Sequence, residues 1–253
     1  MTAGLSRQGS SKGILLDIEG TTTPIDFVYQ VLFPHARQHA KSFLAAHCSS
    51  EEVQSDIALL IEENVEDRRR GLHPPDLHGH GASKEADLES VLGYFFWLMD
   101  QDRKSTGLKS LQGKIWEEGY RKGALQSRVF PDVPPALAAW HSQTKDIRIF
   151  SSGSVLAQKL LFAHTESGDL TKFIRGYFDT TIGAKTDLQS YQRIALEFEC
   201  PAPAIFFISD ASGELDAARA AGMQTALCVR PGNRPQSVKS KHPVIRSLQE
   251  LNL

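Results

Sequence analysis

Short apolar runs that break off at a polar residue and a glycine recur along this chain, and they constrain its fold more than any other feature. Ile14-Leu15-Leu16-Asp17-Ile18 is followed at once by Gly20 and three threonines. Ile147-Arg148-Ile149-Phe150-Ser151 and Ala204-Ile205-Phe206-Phe207-Ile208-Ser209 end in the same way, and Thr225-Ala226-Leu227-Cys228-Val229 precedes the turn signal Pro231-Gly232-Asn233. Runs this short, closed by turn residues, read as buried strands. Helical periodicity fills the intervals at 155–163, 188–198 and 214–221, the last closed by Gly222 at a C-cap position. Strand and helix in alternation predict an α/β core, a Rossmann-like parallel sheet covered on both faces. Ligands of such sheets bind beyond the carboxyl ends of the strands, so the polar residues there become the first functional candidates.

From residue 24 to residue 130 the pattern changes to long helical periodicities with no convincing strand. A helical cap domain is therefore expected over 24–130, inserted into a core made of 13–23 and 131–253, with the polar residues 1–12 as a flexible tail. A chain of 253 residues is long enough to bury such a core and carry the insert. Within the insert, Leu108, Leu111 and Ile115 fall at helical spacing, as do Phe43 and the alanines after it, and these stripes read as packing. Residues 68–83, with Pro74-Pro75 and several glycines, read as a surface loop, which makes His73, His78 and His80 loop residues and not a metal cluster. His35 and His39, four apart on one helix face, read as half-exposed surface.

Several function classes are excluded by bulk properties. The formal charge of −2 supplies no basic field for nucleic acid. No apolar run reaches the roughly 18 to 20 residues that span a bilayer, and the N-terminal stretch lacks a secretory apolar core, so a soluble protein without a membrane partner is expected. Cys48, Cys200 and Cys228 are odd in number and widely spaced, as expected of reduced thiols in the cytosol.

Chemistry concentrates at the strand ends. Asp17 and Glu19 stand two apart, so in an extended chain both carboxylates face one side and repel. A hard divalent cation on oxygen ligands relieves that repulsion and admits a phosphate, with Asp210 as the third contributor. Asp17 then suits a nucleophile on phosphorus, and Glu19 an acid for the leaving oxygen and afterwards a base for water. Ser151, Ser152 and the amides around Gly153 suit phosphoryl oxygens at a helix N-terminus, and Lys185 supplies positive charge to the transition state. Each residue has a plainer reading: a turn for Asp17 and Glu19, a helix cap for Ser152, a solvated surface lysine for Lys185. Glu214, four beyond Asp210, fits support of the metal and a helix-dipole position equally well.

Taken together, Asp17-Ile18-Glu19-Gly20-Thr21-Thr22, Ser151-Ser152-Gly153-Ser154, Lys185 and Phe207-Ile208-Ser209-Asp210 resemble, in order, the four motifs of haloacid-dehalogenase (HAD) phosphatases. Glu at position 19, where most of that superfamily carries Asp, is similar to the enolase-phosphatase (acireductone synthase) branch of methionine salvage. Leu32-Phe33-Pro34, Ile182-Gly183-Ala184-Lys185 and Val229-Arg230-Pro231-Gly232-Asn233 add to the likeness, with Ala184 standing where many relatives carry His. The resemblance implies hydrolysis of 2,3-diketo-5-methylthiopentyl 1-phosphate after its enolisation, beneath a closing cap. It implies one Mg2+ per chain on the Asp17 carboxylate, the Glu19 backbone carbonyl and Asp210, with Ser151, Ser152 and Lys185 at the substrate; a monomer is consistent with it. Two other readings stay open: a HAD phosphatase for another small phosphate ester, and a phospho-accepting signalling domain.

Overall fold

The computed structural model describes residues 11–77, 84–233 and 241–251, so most of the expected tail, and His78 and His80, lie outside the described residues. The chain forms two compact units, 1–29 with 126–253, and 30–125. In chain order the elements are β1 (Gly13–Leu16), α1 (Ile25–Phe27), α2 (Phe33–His47), α3 (Glu51–Arg69), α4 (Lys84–Asp100), α5 (Thr106–Arg121), α6 (Val133–Ser142), β2 (Asp146–Phe150), α7 (Val155–Ala163), β3 (Gly176–Phe178), α8 (Leu188–Glu197), β4 (Ile205–Ser209), α9 (Ser212–Ala220), β5 (Gln224–Cys228) and β6 (Val244–Ile245).

The six strands form one parallel sheet in the order β3-β2-β1-β4-β5-β6. All residues of β1 and β4 are buried, which explains why their sequences are continuous apolar runs and not alternating ones: helices cover both faces. On one face Leu15, Phe150, Phe207 and Leu227 pack with Tyr191, Ile194 and Leu215 from α8 and α9. Residues 11 and 12, assigned to the tail by their polarity, already belong to this sheet unit. Lys12 N donates to Ala204 O at 2.8 Å and Lys12 O accepts from Asp146 N at 2.9 Å. Two strands and one helix escaped the sequence reading. β3 and β6 have three and two residues, too few for a pattern, and α6 carries Pro134-Pro135 in its first turn, a pair that resembles a turn signal although a first helical turn tolerates proline.

A buried polar knot fastens this unit behind β5. Asp132 Oδ2 accepts from Arg230 Nη2 at 2.9 Å, Ser247 Oγ at 3.1 Å and Leu248 N at 2.6 Å. Burial alone would raise the Asp132 carboxyl, but the bonds from Arg230 and Leu248 and the guanidinium charge outweigh it and hold it below its usual range. Asp132→Asn is expected to lower stability by about 2 kcal/mol at neutral pH. Because the folded carboxyl is the stronger acid, its contribution is present above the unfolded pKa and lost as pH falls through the folded one. Urea unfolding at neutral and acid pH checks both statements; a deficit that persists unchanged in acid rules out the ionic origin.

In the second unit Leu108, Leu111 and Ile115 are buried, as is Phe43. The loop expected from residue 68 begins after Arg69, and Asn64 Nδ2 fastens it by donating to Pro75 O at 3.0 Å. His35 is half-buried, its ring 4.3 Å from that of His39, and a Cβ on Gly119 would fall 2.4 Å from its Nε2. No helix among the described residues is long and apolar enough to cross a membrane.

Candidate active site

β1 stops at Leu16, earlier than expected, so Asp17 and Glu19 meet through a turn and not through strand alternation. Asp17 N still donates to Ile208 O at 3.0 Å, which sets the carboxylate beside the end of β4. The turn closes on one acceptor: the amides of Thr21, Thr22 and Thr23 donate to Ile18 O at 3.1, 2.9 and 2.9 Å. Gly20 sits at φ +73°, and a Cβ there would lie 2.4 Å from Asp210 Oδ2. Only glycine allows both the left-handed turn and the approach of that carboxylate.

Asp17 is buried and contacted from three elements. Its Oδ1 is 2.5 Å from Lys185 Nζ, and its Oδ2 accepts from Ser209 Oγ at 3.3 Å and Thr21 Oγ1 at 3.5 Å. Lys185 Nζ also reaches Glu214 Oε2 at 2.9 Å, and that oxygen accepts from Ser209 Oγ at 2.9 Å. Lys185 is thus an interior cation, its side chain 11% exposed, and not the solvated surface residue that its sequence context favours. α8 places it: Ser190 Oγ donates to Ala184 O at 2.8 Å and Tyr191 Oη to Lys185 O at 2.7 Å.

Ser151 Oγ points to the Glu19 carboxylate, 3.3 Å from Oε2, and accepts from Gly153 N at 3.1 Å. The cap of α7 is Ser154, whose Oγ accepts from Ala157 N, so the capping reading of Ser152 does not hold. Gln158 fixes the loop by donating from Nε2 to Gly153 O and Phe178 O, each at 2.8 Å.

Four carboxylates and one ammonium make this an acid-rich centre. Burial and then Asp17 push Asp210 up to about 7, and the same two causes push Glu214 up to about 7 and raise Glu19. For Lys185, burial works downward, but the charges of Asp17, Glu214 and Glu19 prevail and raise it. Among the described residues no three His, Cys, Asp or Glu side chains form a ready-made metal cage. The donor set nonetheless suits a hard divalent cation, because oxygens dominate and mutual repulsion already raises the acids. Asn233 Oδ1 adds a buried acceptor with no partner among the described residues. It would lie 2.9 Å from a Cβ on Gly20, on which Asp210 Oδ2 also converges.

Asp17 contacts Lys185 and Glu19 contacts Ser151 directly, and the charges of Asp17 and Lys185 act on both Glu19 and Asp210. Ser209, Glu214, Gln158 and Asn233 were absent from the candidate set. Glu214 carried a sequence signal in its spacing of four from Asp210, while Ser209 and Asn233 stood within the motif phrases without a role of their own.

A family model described as haloacid dehalogenase-like hydrolase matches residues 11–222. The chain is 49% identical over 220 residues to "Enolase-phosphatase E1" of Synechococcus elongatus, covering 87% of this chain and 89% of that protein. It is 39% identical to the protein of the same name from Salmo salar, covering 99% and 98%. Among solved structures, the UTR4 protein of Saccharomyces cerevisiae superposes with a TM-score of 0.76 at 31% identity, over 95% of this chain and all of that one.

Proposed function

Since this chain belongs to the haloacid dehalogenase-like hydrolases, we propose that it is an enolase-phosphatase that converts 2,3-diketo-5-methylthiopentyl 1-phosphate to 1,2-dihydroxy-3-keto-5-methylthiopentene and phosphate in L-methionine salvage. The reading is carried by relatives of that name along most of the chain, and its phosphatase half is supported by the salt bridge of 2.5 Å between Asp17 and Lys185.

In this reading Asp17 attacks phosphorus, an Asp17 oxygen–phosphorus bond forms, and the bond from phosphorus to the substrate oxygen breaks. Glu19 gives its proton to the departing oxygen, which its raised pKa favours, and then takes one from the water that hydrolyses the aspartyl-phosphate. Ser151, Ser152 and the turn at Gly153 hold phosphoryl oxygens, the Gly153 amide exchanging its bond to Ser151 Oγ for one to phosphate, and Lys185 balances charge that grows during transfer. The Asp17 and Asp210 carboxylates and the Glu19 backbone carbonyl would hold one Mg2+ per chain, which would supply positive charge to offset the four acids when a phosphate binds. The helical segment 24–130 serves as the cap on a core of 13–23 and 131–253, and the enzyme works as a cytoplasmic monomer.

The test is incubation with the diketo phosphate while phosphate release and enediol absorbance are followed together. Both signals should rise in step. Comparable turnover of common sugar phosphates would establish a plain phosphatase instead, and a phosphoprotein lasting minutes would indicate a signalling domain.

Metal binding has its own signature. Asp210 and Glu214, at about 7, hold protons more tightly folded than unfolded. The metal-free chain therefore loses stability as pH rises from about 4 through about 7. Magnesium competes with those protons, so it should raise the melting temperature more at about pH 8 than at about pH 5. An equal or larger rise at the acid end would remove Asp210 from the metal site.

A further inference from the structure

The turn after β1 leaves one backbone carbonyl unclaimed. Asp17 O accepts from Thr22 Oγ1 at 3.2 Å, and Ile18 O from the amides of the three threonines. Thr22 O accepts from Phe130 N at 2.9 Å and Thr23 O from Gly20 N at 2.8 Å. Two more are held from the segment after β5, Gly20 O by Asn233 Nδ2 at 2.9 Å and Thr21 O by Arg230 Nε at 3.1 Å. From residue 17 to residue 23, Glu19 O is the one carbonyl that accepts no hydrogen bond among the described residues. It is also the carbonyl that the magnesium reading uses as a ligand.

Its direction depends on Gly20. A trans peptide sets its C=O opposite its N–H, so donation from Gly20 N to Thr23 O turns the Glu19 carbonyl away from the turn. Gly20, at φ +73° and without a side chain, is the residue of this turn with the widest backbone freedom. Thr23 O fixes its amide and Asn233 fixes its carbonyl, so the two peptides that flank it are both pinned.

Arg230 and Asn233 do not share this task equally. The Arg230 guanidinium also donates to Asp132 Oδ2 at 2.9 Å and Arg246 O at 2.8 Å, and it lies 4.5 Å from the centre of the Phe130 ring, so it fastens the unit as a whole. The Asn233 amide has, besides Gly20 O, a longer contact of 3.4 Å to Cys228 O. Turning it over would set Oδ1 against both carbonyls, so the donor must face the turn. Oδ1 is then left buried without a partner among the described residues, at a cost to stability. Packing alone would favour an apolar side chain here, whereas holding Gly20 favours asparagine.

We propose that Asn233 is a positioning residue of the phosphatase centre: by pinning the Gly20 carbonyl it keeps the Glu19 carbonyl turned toward the cation shared with Asp17 and Asp210. The inference rests on the magnesium reading. Its effect passes through the backbone of Gly20 and needs no contact between Asn233 and the ion.

The test titrates the nitrogen-15-labelled full chain with magnesium chloride at constant ionic strength, and the amide shifts of residues 17–23 give the dissociation constant. Asn233→Leu keeps the bulk of the side chain and removes the donor; Asn233→Ala removes both. Each should bind Mg2+ about tenfold more weakly than the parent. Their melting temperatures should differ, because only one leaves a cavity, while their affinities stay together. Parent-like affinity in both variants, or a loss confined to Asn233→Ala, overturns the proposal and leaves the magnesium reading standing. A parent without saturable shifts at millimolar Mg2+ removes both.

Discussion

Asp17→Asn lowers phosphate turnover by at least about 10⁴-fold while the melting temperature hardly moves. The amide keeps the shape of the carboxylate and can still accept from Ser209, but its oxygen is too weak a nucleophile to form an ester with phosphorus. Stability survives because Lys185 retains a second partner in Glu214, at 2.9 Å, and because one acid fewer lessens the repulsion that raises Asp210, Glu214 and Glu19. Phosphate release and a thermal melt on one preparation decide the matter. Turnover within tenfold of the parent would end the nucleophile assignment, whatever the melt showed.

Lys185→Met lowers kcat/KM by about 10³-fold. Methionine replaces the buried stem beside Phe150 but removes the ammonium that bridges Asp17 and Glu214. The dianionic end of a phosphate ester must then approach four carboxylates with no lysine among them, and the carboxyls themselves shift further upward. A loss of at most a few-fold would mean that the lysine only balances charge in the resting protein and plays no part in transfer. Inorganic phosphate should inhibit this variant more weakly than it does the parent, because the same attraction is missing for product.

The sheet was legible in the sequence because β1 and β4, buried on both faces, must be apolar throughout, and because a parallel strand has to end where polar groups can face a ligand. The elements that escaped were those without length, β3 and β6, and the one whose proline pair imitates a turn, α6. Within the site, Asp17 and Asp210 stand out as acids at the ends of apolar runs. Lys185 lies in a loop, where no periodicity separates a buried ammonium from a solvated one; Tyr191, six residues on, fixes it through a backbone carbonyl. Glu214 was visible but ambiguous, since a carboxylate in the first turn of α9 satisfies the helix dipole whether or not a lysine waits across the cleft. Gln158 acts on a carbonyl distant in sequence that nothing local announces, and the turn signal at Pro231-Gly232-Asn233 marks Asn233 without revealing its reach to Gly20 O.

The position of β1 bears on how the chain acquires its structure during synthesis. Its partners on either side pair Gly13 with Asp146 and with Ile205, so the opening strand has no sheet neighbour until well over half of the polypeptide has been made. At translation rates of about 5 to 20 residues per second, that is a wait of roughly ten to forty seconds for the second neighbour. Throughout it, Ile14, Leu15 and Leu16 form a greasy stretch open to chaperones or to stray strands from other nascent chains. Such long-range pairing predicts slow refolding in dilute solution and aggregation that rises steeply with concentration.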